Sequence, residues 1–412
     1  TGNTLQTDIE VTADLDFSHH TFTLPFGAFS NGTCVSFSGV IQGNGHSIKG
    51  LQIDNTNNEG YKDAGLFCDL KNVTVENLVI DSSCSFTGYW AGALSVSVNG
   101  SLTVKHTTNN AAVCGTQGVG GFIGYVRDLK RQSVVSFEDC VNNGNVTGSS
   151  DMVGGFVGSF SSNNEMTTVI SNTINNGNIN GDSSYVGGFF GILSYNKNIT
   201  IIISNNINHG NITGIYYVGG VLGVMNRNEN MVMTISNTLN NGNVDGKNDH
   251  VGGFVGNIEE NTNVNVTISN FTNNGIVNGQ SRYVGGFSGS IGSNDNMAIV
   301  ISNSINNGQV TSIWNYSGGF IGDIYSLWQS NSISFTIMNS ANKGDVSSES
   351  GVACGFVCVD SNNNKNVKTT VKNSINKGSV NGGIKAYGIT NIIKEARNVV
   401  SMGDVTGPSG SF

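Results

Sequence analysis

The stretch Tyr185-Val186-Gly187-Gly188-Phe189-Phe190-Gly191, followed by Ile203-Ser204-Asn205 and Ile207-Asn208-His209-Gly210-Asn211-Ile212, recurs along most of the chain. Its first half returns at Val153-Gly154-Gly155-Phe156, Val218-Gly219-Gly220-Val221, Val251-Gly252-Gly253-Phe254 and Val284-Gly285-Gly286-Phe287. The second glycine of the phrase falls at Gly121, Gly155, Gly188, Gly220, Gly253, Gly286, Gly319 and Gly355, in steps of 34, 33, 32, 33, 33, 33 and 36 residues. A fixed period of this length marks an array of stacked units and outweighs any single local motif.

The second half has its own glycine at Gly144, Gly177, Gly210, Gly242, Gly275, Gly308, Gly344 and Gly378. Seven residues before it stand Phe137, Ile170, Ile203, Ile235, Ile268, Ile301, Ile337 and Val371, and two after it only Val or Ile. Columns that never turn polar face a shared interior. Five before the glycine come Asp139, Asn172, Asn205, Asn237, Asn270, Asn303, Asn339 and Asn373, and two before it an unbroken run from Asn142 to Asn376. Identical amides at one rung position suit parallel, in-register stacking, since each donates to one neighbour and accepts from the other. The glycine after Asn-Asn is expected to supply the positive φ of a corner.

Between corners the residues alternate and are β-branched, as in Asn198-Ile199-Thr200-Ile201-Ile202-Ile203, while Asn and Gly saturate the chain and disfavour helix. The predicted fold is all-β, a parallel β-solenoid of about eleven coils of ~33 residues. At a rung spacing of about 4.8 Å it would form a rod roughly 50 Å long, with Ile203 and Ile235 stacked inward. Residues 1–64 read as a lead-in and cap, 65–405 as the coils and 406–412 as a tail. Variable polar loops such as Ser161-Ser162-Asn163-Asn164-Glu165, Asn226 to Asn230, Glu259 to Thr262 and Ser361 to Asn366 are expected along one edge.

Composition agrees: 412 residues carry 57 Gly, 2 Pro and 11% charged residues. A net charge of -9, with no stripe of Lys or Arg, argues against nucleic acid as a partner. No apolar run approaches the roughly 18 residues that span a bilayer. The chain opens on Thr-Gly-Asn without a signal peptide, so a leader is expected to have been removed from what is part of a longer protein. The seven cysteines contain no Cys-x-x-Cys, which argues against structural zinc. They are read as small buried hydrophobes, or as bridges between neighbouring coils pairing Cys34 with Cys68 or Cys84 with Cys114.

The segment Phe37-Ser38-Gly39-Val40-Ile41-Gln42-Gly43-Asn44-Gly45-His46-Ser47-Ile48-Lys49-Gly50-Leu51-Gln52-Ile53, followed by Gly65-Leu66-Phe67 and the Val-Gly-Gly-Phe and Asn-x-Gly-x-Val phrases, resembles GLUG-motif surface proteins. The paired glycines with a spaced Asn are also similar to the repeats of polymorphic membrane proteins. The likeness covers roughly residues 35–405. Phe stands where Leu is commoner after the glycine pair, and the Cys usual after the ladder Asn is present only as Cys140. The resemblance implies a right-handed parallel β-helix and a role as an adhesin or surface protein.

Many β-helix proteins cleave polysaccharides, and such chemistry has recognisable requirements. A lyase needs a basic side chain beside an acidic calcium site, and a hydrolase needs paired carboxylates. Arg occurs only at 127, 131, 227, 282 and 397, and acidic residues in register on adjacent coils are scarce. Glu259-Glu260 reads as a solvated turn, and His209 and His250 as replacements within structural columns. No catalytic residue, metal ligand or cofactor site is assigned.

Two surface features remain. Asn31, Asn72, Asn99, Asn145, Asn198, Asn211, Asn265, Asn270 and Asn315 begin N-x-S/T sequons and are candidate glycosylation sites. Three residues before the marker glycine stand Tyr89, Tyr185, Tyr217, His250, Tyr283 and Tyr316, read as an aromatic ladder closing the coil or as a half-exposed stripe for sugar rings or a partner protein. Here Val186 and Phe190, opposite in parity to Tyr185 and Phe189, are also apolar, so the stretch does not divide into one buried and one wet face. The expected function is a non-enzymatic extracellular adhesin or structural coat component meeting host or matrix glycans or proteins. The alternatives are a β-helix polysaccharide lyase or hydrolase and a subunit of a filament assembled end to end.

Overall fold

The computed structural model describes residues 4–130, 132–325, 332–359, 367–391 and 395–408. Arg131, the polar segment 361–366 and the tail beyond 408 lie outside the described residues. The described chain is all β and contains no helix, wound as a parallel solenoid of about 11 turns at ~33-residue spacing. One coil shows the plan. Strands Ser184–Gly187, Phe190–Ser194, Thr200–Ser204, Ile207–Asn208 and Ile212–Gly214 pair in parallel with Tyr216–Gly219, Leu222–Asn226, Glu229–Ser236, Leu239–Asn240 and Val244–Gly246. Ile170, Ile203 and Ile235 are directly opposed on successive coils, and Ile203 and Ile235 are buried.

Apolar stacking fills the interior. The rings of Phe156 and Phe189 lie 5.1 Å apart at 12°, and those of Phe254 and Phe287 5.0 Å apart at 5°. The parity conflict around Tyr185 disappears because the stretch is two strands. The chain turns between Gly187 and Phe190, so alternation restarts, and Val186 and Phe190 both point inward.

The glycines act by closeness. The left-handed corners fall on Asn172, Asn205 and Asn237, with φ of 54°, 56° and 49°, whereas Gly177, Gly210 and Gly242 are not left-handed, contrary to the expectation from sequence. Asn tolerates this region because its short side chain bonds locally. A Cβ on Gly210 would sit 1.9 Å from the Gly177 carbonyl oxygen, so that glycine is required by the approach of the neighbouring coil's backbone. In the Val-Gly-Gly-Phe phrase, a Cβ on Gly188 would sit 2.1 Å from the Gly220 carbonyl oxygen. Gly210→Ala is therefore expected to lose about 3 kcal/mol or more, because no rotamer relieves a backbone clash. Urea denaturation checks this, and a midpoint within error of the parent contradicts the packing argument.

Buried polarity is satisfied by amide ladders. Asn208 Nδ2 donates to the Gly210 carbonyl at 2.9 Å and to Asn240 Oδ1 at 2.7 Å, and Asn208 Oδ1 accepts from Asn175 Nδ2 at 2.7 Å. The same arrangement runs unbroken from Asn109 to Asn376. A second buried ladder joins Asn163, Asn196, Asn228, Asn261 and Asn294 at 2.9–3.0 Å. It lies inside the segments read from sequence as variable loops, which corrects that reading: their central Asn is an internal rung. The column of Asn205 also forms a ladder, to Asn172 at 3.1 Å and from Asn237 at 2.9 Å, but on the exposed corner.

Residues 4–54 already follow this plan. Thr4–Gln6 and Ile9–Glu10 pair in parallel with Ser36–Gln42, and Leu15–Asp16 with Ser47–Lys49, so they add a rung in register and do not lie across the end. An apolar cavity of about 260 Å³, lined by Leu5, Ile9, Leu15, Phe17, Phe26 and Phe37 among others, opens there. Cys34 and Cys68 form a disulfide between adjacent coils, one of the two pairings anticipated. The other is corrected: Cys84 and Cys114 are free, as is Cys140, and the second bridge joins Cys354 to Cys358 within one coil.

Candidate functional site

The ring column is a stacked pile. Tyr185 and Tyr217 lie 5.3 Å apart at 19°, Tyr217 and His250 4.8 Å at 24°, His250 and Tyr283 5.1 Å at 49°, and Tyr283 and Tyr316 6.2 Å at 9°. Tyr185, Tyr217, His250 and Tyr283 all have left-handed backbones, between 54° and 66°. Bulky residues rarely adopt that conformation, so the ladder's hydrogen bonds and the stacking must outweigh a cost of about 1–2 kcal/mol per residue. Tyr89 stands apart: the intervening coils carry Gly118 and Met152 at this position, and its hydroxyl meets Gln117 at 3.3 Å.

Stacking has a chemical consequence. A sugar ring binds an aromatic face, yet inside the pile each face is covered by the next ring and only edges look outward. Burial raises the Tyr185 and Tyr283 hydroxyls and pushes Tyr217 up to about 12. It lowers His250 to about 4, with Asp249 opposing and Arg282 assisting.

Beside the pile lies a polar corner that sequence reading missed. Tyr325 lays its ring over Gly292, stacks on Tyr283 at 6.4 Å and donates to Glu259 Oε2 at 3.4 Å. Glu259 is thus a half-buried carboxylate ending the strand Val255–Glu259, its pKa raised by burial, which corrects its reading as a solvated turn. Glu260 behaves as expected of an exposed residue and pairs with Arg227 at 2.5 Å. Asn226 Oδ1 and His250 Nδ1 are buried here without hydrogen-bond partners among the described residues. The signal in sequence was Gly292 alone, a glycine opposite Glu259 that leaves room for a neighbour's ring.

His209 shares a contact with Asn241 at 3.2 Å, within a column that reads Asn143, Asn176, Asn241, Asn274 and Asn307 before ending in Lys343 and Lys377, in keeping with a structural reading. Eight of the sequon asparagines are exposed and Asn315 is partly so. Asn31 accepts from the Thr33 amide at 3.0 Å and its hydroxyl at 2.6 Å, whereas Asn198 and Asn270 donate into exposed ladders at 3.2 and 2.9 Å. Among the described residues no group of three or more His, Cys, Asp or Glu is arranged to hold a metal ion.

No family model matches the chain, so the likeness to GLUG-motif and polymorphic membrane proteins rests on the residues quoted above. A 102-residue segment is 33% identical to part of Halomucin from Haloquadratum walsbyi, covering 24% of this chain and 1% of that protein. A crystal structure from Bacteroides ovatus, provisionally named an immunoglobulin A1 protease, aligns over 99% of this chain and 78% of that one. Its TM-score is 0.25 at 14% identity, too low to carry an argument.

Proposed function

We propose that this chain is the rod of a non-enzymatic extracellular protein, an adhesin or a structural component of a cell surface. The observation carrying this reading is that the repeated positions of each coil serve the next coil. Asn208 meets Asn240, Phe156 meets Phe189 and Gly188 meets Gly220. A sequence so invested produces length and stiffness, the properties that hold a binding surface away from a cell. The segment shared with Halomucin, by its name a mucin, points the same way.

Beads coated with the purified chain should adhere to matrix or host-cell surfaces above albumin-coated controls. The same protein should release neither unsaturated nor reducing ends from common polysaccharides, with or without calcium. Release that disappears in Glu259→Gln or Arg227→Ala would replace this reading with an enzymatic one, since these two side chains flank the polar corner.

A further inference from the structure

We infer that a shallow cleft beside Trp314 is a subsite for a neutral oligosaccharide, a deepening that rests on the adhesin reading above. Trp314 belongs to the strand Val310–Gly318 and is 55% exposed. Its indole has no ring partner among the described residues, unlike the tyrosines of the pile. Other coils carry Ser150, Ser183, Ile215, Asn248, Ser281 and Ser350 at this position, with Ser350 directly opposite Trp314. Coil stacking therefore does not require a large ring there. An exposed indole retained on a solenoid surface is an anchor of the kind that dominates recognition.

A cleft of about 430 Å³, within the range of ligand sites, is lined in this strand by Thr311, Ser312 and Ile313, so Trp314 follows its last lining residue and stands outside the lining itself. One wall is a column of Asn278, Thr311, Ser347 and Asn381 in register on successive coils. Thr311 Oγ1 donates to Asn278 Oδ1 at 2.9 Å, while the side chains of Ser347 and Asn381 form no hydrogen bond among the described residues. Glu349 and Ile313 also line it, and the Glu349 carboxylate is in no ion pair among the described residues. Hydroxyls and amides in line over about 14 Å offer an extended chain of sugar hydroxyls both donors and acceptors. The indole supplies the face that sugar C–H groups pack on. A lining carboxylate in a chain of net charge -9 selects against uronic or sialic acids.

The test is a glycan array with neutral and acidic oligosaccharides, followed by calorimetry with the best neutral hit. Trp314→Ala should weaken that hit about tenfold, one aromatic–sugar stacking contribution. Trp314→Phe should recover part of the loss, and Tyr185→Leu, in the pile, should leave affinity unchanged. Undiminished binding by Trp314→Ala, or a preference for acidic glycans, overturns the subsite while leaving adhesion intact. Adhesion of coated beads without any glycan hit overturns it likewise, and loss of adhesion as well removes the adhesin reading.

Discussion

Asn208→Leu should cost about 3–9 kcal/mol, because three buried polar groups lose their partner at about 1–3 kcal/mol each. They are one N–H of Asn175, the Oδ1 of Asn240 and the Gly210 carbonyl oxygen. That range rivals the whole stability of a typical domain, about 5–15 kcal/mol. The variant is therefore expected to be unfolded or to melt locally around these coils, as stacked repeats do. Asn205→Leu should behave differently. Asn205 is exposed, so water replaces its ladder bonds, and the main penalty is a leucine at φ 56°, about 1–2 kcal/mol. Asn205→Gly, free of that penalty, should be nearly neutral. Circular dichroism and urea midpoints of the three variants decide the matter. Equal losses at positions 205 and 208 would mean that burial does not distinguish the two ladders.

The second large effect is in pH. His250 Nδ1 is closed off from solvent, although the residue as a whole is partly accessible, and its pKa falls to about 4 from an ordinary 6.5. Burial dominates that shift; Asp249 favours the charged ring and Arg282 disfavours it, while Tyr217 and Tyr283 cover its faces. The folded state thus holds this histidine neutral while the unfolded chain takes up a proton. Between pH 6.5 and about 4 the unfolded state binds more protons, so stability falls as pH falls. The contribution is complete above pH 6.5 and gone by about pH 4, at most about 3 kcal/mol at 1.36 kcal/mol per unit. Urea titrations at pH 7 and 4.5 should show this loss in the parent. It should be absent from His250→Tyr, which restores the residue found in the neighbouring coils. A parent and variant with the same pH dependence would place the acid sensitivity elsewhere.

The period is legible in the chain itself because a solenoid repeats the same environment every ~33 residues. Inward Ile203 and Ile235, the stacked Phe column and the ladder from Asn142 to Asn376 each follow from columns that never change character. Chemistry at single rungs is less legible. Gly210 and Asn205 both look like corner residues by type, and only the folded backbone separates a close contact from a left-handed turn. The reason is that sequence shows which positions repeat but not how far apart successive coils bring their carbonyls.

The same division holds for the sites. Sequence alone determined the all-β solenoid, the two amide columns before the corner glycine and the aromatic column, since each needs only identity at a fixed spacing. Tertiary structure decided which ladders are buried, that the aromatic rings cover one another's faces, and that Glu259 lies under Tyr325, 66 residues away. It also singled out Trp314, a residue that breaks its column and so gives no periodic signal. Repetition encodes the stack. What a coil does beyond stacking lies in its exceptions, and their surroundings are set by neighbours in space.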